Sequence, residues 1–260
     1  MIVNSFRLAK GIGPTGEARL WRSGILTWDD FLESERIQRI SPDKKLVVDA
    51  QLENAKQALS SGDAAFFASA LPSSEHWRCL GEYGPRAVYL DIETTGLSLS
   101  SPITMVGVSD GKRVHTLVRG MNLSTENLRG ILAGAGAIVT FNGASFDLPI
   151  IERQFPGAVP SVPQVDLRYP LRRLGHTGGL KAIERELGIE RDKRVEYMTG
   201  QEAVYLWRIW ERQGSRNALD LLTEYNAADC LSLVVLARRA YRDLRRATLV
   251  SAAGPGKVEY

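Results

Sequence analysis

Three short stretches of this chain hold acidic residues at spacings suited to metal-assisted phosphoryl chemistry. The first is Asp91-Ile92-Glu93, at the end of the apolar run Ala87-Val88-Tyr89-Leu90. Side chains at i and i+2 of a strand point to one face, so both carboxylates converge on one spot. Like charges held that close resist ionisation unless a cation sits between them. An all-oxygen donor set favours Mg²⁺ or Mn²⁺. The second stretch, Asn142-Gly143-Ala144-Ser145-Phe146-Asp147, puts Asp147 in the first turn of an expected helix. A helix N-terminus would favour a carboxylate there by itself. The third, Tyr225-Asn226-Ala227-Ala228-Asp229, sets Tyr225 and Asp229 at i and i+4 on one helix face. A mid-helix Asp beside Cys230 and Leu231 is hard to explain by packing, since that face should be buried. Hydrolysis of a phosphodiester needs a nucleophilic water, stabilised charge at the pentacoordinate phosphorus and a departing alkoxide. Two cations about 4 Å apart meet all three needs without a strong protein base.

The elements that must position these residues follow from pattern. Gly84-Pro85 breaks any helix before the Ala87 strand and marks a boundary near Glu82-Tyr83. Residues 104–109 and 113–118 flank Asp110-Gly111, a hairpin signal, so three consecutive antiparallel strands are expected. A helical pattern covers 125–132, a strand follows over 137–141, and Asn142-Gly143 turns the chain. Further helices are expected over about 146–154, 178–187, 200–213 and 217–244. Strands followed by alternation with helices imply an α/β fold around a mixed sheet.

The order Asp-x-Glu, Asn-x3-Phe-Asp, Tyr-x3-Asp resembles the DEDD superfamily of 3′-to-5′ exonucleases in its tyrosine-bearing subtype. The other subtype has His five residues before the last Asp, where this chain has Glu224. Smaller stretches, Val165-Asp166-Leu167-Arg168 and Gly178-Gly179-Leu180-Lys181-Ala182-Ile183-Glu184, look most similar to the YprB-like bacterial exonuclease-like group. The resemblance implies a ribonuclease H-like mixed five-stranded sheet flanked by helices over residues 85–246. It also implies two Mg²⁺ or Mn²⁺ ions and single-stranded DNA or RNA 3′ ends as substrate. By the same carry-over Asp91 bridges both ions, Glu93 and Asp229 complete the water-activating site, and Asp147 serves the second ion. Tyr225 orients the attacking water. Thr94, Thr95, Gly96 and Leu97 are expected to seat the terminal nucleotide, and Asn142 and Phe146 to flank the next. Two rival readings are a ribonuclease H-fold nucleic-acid-binding module without catalysis and a structure-specific endonuclease. The presence of all four acids and the Tyr counts against the first. The Tyr-x3-Asp helix counts against the second.

The net charge of +3 does not by itself identify a nucleic-acid binder. Its distribution says more: residues 1–84 carry 10 basic and 11 acidic groups, residues 85–260 carry 23 and 19, so the positive excess lies with the motifs. Basic residues cluster at Arg168, Arg172 and Arg173, at Arg191, Lys193 and Arg194, and at Arg238, Arg239, Arg242, Arg245 and Arg246. Such clusters could neutralise phosphates or simply line a solvated helix face. Two isolated cysteines and three scattered histidines argue against a disulfide framework and against zinc. With no long apolar stretch and no secretory signal, a cytoplasmic, non-membrane and monomeric protein is expected. Residues 1–84 read as a mainly helical region. Gly11-Ile12-Gly13 opening a short helix resembles half of a helix-hairpin-helix, which could offer backbone N–H groups to a phosphate. A small core of Trp21, Trp28 and Phe31 is expected behind it, with Leu52, Ala55, Leu59 and Phe66 as packing positions in helices over 50–70. Residues 247–260 are expected to form a flexible tail.

Overall fold

The computed structural model describes residues 1–253. Five strands form one sheet: β1 (Ala87–Thr94), β2 (Ile103–Ser109), β3 (Val114–Val118), β4 (Ala137–Thr140) and β5 (Gln164–Asp166). Their order is β3-β2-β1-β4-β5. The first three pair antiparallel, and β4 and β5 run parallel to β1. The mixed α/β sheet expected from the pattern is therefore present. The fifth strand is only three residues long, too short to register as a periodic run.

Helices α1 (Pro14–Arg22), α2 (Trp28–Glu33), α3 (Pro42–Ser60), α4 (Ala64–Ala70) and α5 (Leu80–Tyr83) precede the sheet. Within and after it come α6 (Thr125–Leu132), α7 (Asp147–Gln154), α8 (Arg168–Arg173), α9 (Leu180–Glu186), α10 (Gly200–Gln213) and α11 (Arg216–Ala253). Local chemistry sets several starts. Thr199 and Glu202 form a capping box at α10, and Thr27 and Asp30 form another at α2. Helix α11 does not stop near Leu244. It continues through residues 247–253, so the first half of the expected tail is helical, and residues 254–260 lie outside the described residues.

Trp21, Trp28 and Phe31 are buried, but not in a core of their own. They belong to one apolar cluster that runs on through Leu52, Phe67, Leu90, Ile138 and Leu236. Each such side chain contributes about 1.5–3 kcal/mol by leaving water, so the N-terminal helices and the sheet stabilise one another. Leu52 and Ala55 of α3 and Phe67 of α4 are buried, and Leu59 and Phe66 pack partly buried against the same core. Gly13 caps α1 with Pro14 at its first position, so the helix opens directly after the Gly-Ile-Gly turn. A second cluster, including Met105, Trp207, Leu222 and Tyr225, seats α10 and α11 against the sheet. Close approach of α11 depends on Gly107 of β2, where a Cβ would lie 2.1 Å from Asn226 Oδ1 and 2.8 Å from Cys230 Sγ.

Candidate active site

Parallel pairing between β1 and β4 reaches only as far as Tyr89. Beyond it β1 carries Asp91, Ile92 and Glu93, still paired with β2 on its other edge. Ile92 is buried and faces away from the two acids, as strand alternation requires. Its free N–H donates to Asp147 Oδ1 at 3.2 Å. The second acidic stretch thus meets the first where β4 has peeled away.

The turn that delivers Asp147 is tightly specified. Asn142 takes a left-handed conformation with φ of 64°. At Gly143 a Cβ would fall 2.4 Å from the Thr140 side chain. Asp166, at the end of β5, accepts from Asn142 N–H at 2.7 Å, Ala144 N–H at 3.2 Å and Arg168 N–H at 3.1 Å. It holds the loop without entering the site. The third stretch arrives on α11, whose Asn226 Nδ2 donates to Asp91 Oδ2 at 2.8 Å and to the Asp91 carbonyl at 3.3 Å.

One carboxylate oxygen each from Asp91, Glu93 and Asp229 lie within 4.8 Å of one another. Asp147 is outside this trio but adjoins it through Ile92. Glu93, Asp147 and Asp229 are buried, and Asp91 is partly exposed. Burial pushes the Asp91 and Glu93 carboxyls well above the usual carboxylate range, and repulsion from Asp229 and Asp147 adds to it. Burial also raises Asp147 to about 7, against the pull of backbone hydrogen bonds at the α7 start and from Ile92. Asp229 is raised by burial despite Arg191 and Lys181 beside it. Four crowded carboxyls that resist ionisation suit a hard divalent cation, whose charge would let all of them ionise. Mg²⁺ or Mn²⁺ fits this donor set.

Tyr225 and Asp229 share a face of α11 and open on a cavity of about 960 Å³ that also touches Asp91 and Phe141. The Tyr225 phenol is pushed up, first by burial and then by Asp229, Glu93 and Asp91. Thr94 is buried and its Oγ1 donates to the Gly96 carbonyl at 2.5 Å, fixing the turn in which Thr95 N–H donates to the Pro102 carbonyl at 3.0 Å. Leu97, 85% exposed, projects from that turn. Asn142 Oδ1 accepts from Arg168 Nη1 at 2.5 Å, and Phe146 packs partly buried against the main core.

Sequence reasoning missed four contributors. Asn226 lies inside a quoted motif, and Lys181 and Glu184 lie inside Gly-Gly-Leu-Lys-Ala-Ile-Glu, but nothing in their spacing announces a contact with the acids. Arg191 stood out only as part of a basic cluster. In the structure it bridges Glu184 and Asp229. Other clustered bases pair elsewhere: Arg194, from the same cluster, with Glu224 at 2.6 Å, and Arg242 with Asp243 at 2.8 Å. Those two are solvated ion pairs.

A mixed sheet in this order, with acids on its central strand and on the helix that crosses it, defines a ribonuclease H-like domain. The family model for the RNase H superfamily matches residues 88–241, more than half of the 260 residues, and the chain belongs to that superfamily. No curated protein matches the chain. Among solved structures it is similar to one described as the apo form of a nuclease, with 22% identity, a TM-score of 0.47, and 66% of this chain and 79% of that one covered. It is also similar to Escherichia coli RNase D, an exoribonuclease involved in structured RNA processing, with 18% identity and a TM-score of 0.43. That match covers 73% of this chain and 48% of RNase D. Among the described residues no helix is long and apolar enough to cross a membrane.

Proposed function

We propose that this protein is a divalent-metal-dependent 3′-to-5′ exonuclease of the tyrosine-bearing DEDD type, acting on single-stranded DNA or RNA ends. The observation that carries the reading is the meeting of Asp91, Glu93 and Asp229 within 4.8 Å, with Asp147 joined to the same strand and Tyr225 opening on the same cavity. Asp91, Glu93 and Asp229 would hold one ion, and Asp91 with Asp147 a second. Bound Mg²⁺ or Mn²⁺ supplies acidification of a water and neutralisation of charge on the phosphorus.

The chain's own residues do the rest. Asn226 fixes the Asp91 carboxylate by donating to one of its oxygens. Tyr225, with its pKa pushed up, stays a phenol at physiological pH and acts by orienting a water, not by taking its proton. The Thr94–Leu97 turn beside the acids offers backbone and an exposed apolar side chain to a terminal nucleoside.

The test is degradation of 5′-labelled single-stranded DNA and RNA oligonucleotides with Mg²⁺, Mn²⁺ or EDTA. The expected result is a metal-dependent ladder shortening from the 3′ end, absent in Asp91→Ala and Asp229→Ala. Internal cuts, or metal-independent cleavage, would overturn the exonuclease reading.

A further inference from the structure

Four basic residues line the cavity with the acids; Arg185 and Lys193 are exposed, whereas Lys181 and Arg191 are not, and none of the roles above uses those two. Lys181 of α9 holds its Nζ 4.2 Å from the centroid of the Tyr225 ring. That Nζ is shielded from solvent and has no hydrogen-bond partner. Arg191, only 4% exposed, donates through Nε to Glu184 Oε2 at 2.7 Å and through Nη2 to Glu184 Oε1 at 2.5 Å. Nη2 also reaches Asp229, whereas Nη1 is buried and makes no hydrogen bond. Lys181 and Glu184 are at i and i+3 of α9, so the helix presents both on one face.

A bland account holds that these cations merely balance the carboxylates. It explains the Nε/Nη2 edge of Arg191, which Glu184 pins as a bidentate pair. It does not explain the two orphans. Lys181 forms no ion pair among the described residues, and its ammonium and the Arg191 Nη1 keep their donors unused in a buried place. Buried donors without partners are uncommon and costly. Both orphans are donors only, so the partner they lack is an acceptor, and an anion suits two cations best.

We infer that Lys181 and Arg191 form a clamp for the phosphodiester at the reacting end of the substrate, Arg191 through its unpartnered Nη1 and Lys181 as a point charge. The inference rests on the nuclease reading for the identity of the anion. The geometry favours it in detail. Glu184 holds the Nε/Nη2 edge of the planar guanidinium, and so fixes where Nη1 points. Nη2 spends one donor on Asp229, a carboxylate with several lone pairs. Were Asp229 to hold a divalent ion with those lone pairs, that Nη2 donor would be free for a phosphate oxygen.

The test uses the full chain and 5′-fluorescein-labelled single-stranded oligonucleotides in Ca²⁺ over a NaCl series, with Mn²⁺ affinity measured by calorimetry. Lys181→Met keeps the apolar stem over Tyr225 and removes only the charge, and Lys181→Arg restores it. Lys181→Met should weaken oligonucleotide binding about tenfold. It should also reduce the slope of log affinity against log salt by about 0.7, the loss of one single-strand phosphate contact. Mn²⁺ affinity should be kept or improved, and Lys181→Arg should recover most of the binding. Unchanged oligonucleotide affinity and salt slope in Lys181→Met would overturn the clamp, as would a parallel loss of Mn²⁺ affinity. Wild-type protein that binds strands with this Lys181 dependence but never cleaves them would sink the nuclease reading and leave the clamp standing.

Discussion

Two buried ionic groups of this molecule make opposite use of charge. Behind the N-terminal helices Glu17, 2% exposed, accepts from Phe6 N–H at 2.8 Å and from both terminal nitrogens of Arg78, at 3.0 and 2.8 Å. Arg78 Nε donates to Glu75 at 2.6 Å, and Arg173 lies 3.7 Å from the other Glu75 oxygen. Two acids meet two bases, and every nitrogen of Arg78 has a carboxylate. At the β1 end, Asp91, Glu93, Asp147, Asp229 and Glu184 face, among the described residues, Lys181 and Arg191 alone, and both bases keep an unpartnered donor. A group that closes on itself holds its elements in place, because separating them would strand a buried charge without its partner. A group that does not close stores a demand for cations and for an anion. The imbalance identifies the site; burial alone does not.

The comparison breaks most visibly at Arg78. Arg78→Met leaves Glu17 buried and unpaired, and should cost about 3–5 kcal/mol in urea unfolding. A loss below about 1 kcal/mol would mean that the N-terminal network is ornamental. At the other group the corresponding change should act on function first. Asp229→Ala should lower nuclease activity by more than about 10²-fold, since removing a ligand must exceed the 10- to 100-fold typical of outer-shell changes. Its urea midpoint in EDTA should stay near wild type, because one of four mutually repelling carboxylates is gone. Equal losses of stability in both variants would erase the distinction.

How far the site was legible depended on how local each signal is. Asp91 and Glu93 are joined by strand alternation, and Tyr225 and Asp229 by one helical turn, so a period in the sequence placed each pair. Asp147 was legible as a helix start, but its hydrogen bond from Ile92 exists only because β4 leaves β1 at Tyr89. The sheet was legible except at β5, where three residues carry no periodicity. Lys181 and Arg191 could not be read as partners of the acids, since their meeting depends on how α9 lies against α11. The shared core of the N-terminal helices and the sheet is long-range in the same way. Trp21 and Phe31 read as apolar, but their neighbours are set by the tertiary fold.

Metal and pH sharpen the contrast with a smaller expected effect. Mn²⁺ at about 100 times its dissociation constant should stabilise the native protein by about 2.7 kcal/mol. The stabilisation should vanish in Asp229→Ala. In EDTA the sign follows from the raised carboxyls. Below pH near 4 both native and unfolded chains hold these protons. Between there and about 7, the folded value for Asp147, the native protein still holds protons that the unfolded chain has released. Metal-free stability should therefore fall as pH rises through that window, and Mn²⁺ should flatten the fall because bound cations replace the protons. A stability that rises over the same window would show that the carboxyls ionise freely and that no cation is demanded.

The smallest effect is the most discriminating. Asp91→Asn removes one of the repelling charges but keeps an oxygen to accept from Asn226 Nδ2, so the strand-to-helix contact survives. In EDTA at pH 8 it should stabilise the protein by about 1 kcal/mol, while activity in Mn²⁺ disappears. At a pH low enough for the native Asp91 to carry its proton, the same substitution should change stability very little. A charge-neutralising change in the balanced group, Glu17→Gln, should destabilise at both pH values, because Arg78 then loses the carboxylate that takes both its terminal nitrogens and keeps only Glu75. Thermal melts of the two variants at two pH values, with and without EDTA, separate a site held open for metal from a clasp built to stay shut. If Asp91→Asn destabilised the metal-free protein at pH 8, Asp91 would belong with Glu17, as a structural acid whose charge is already matched.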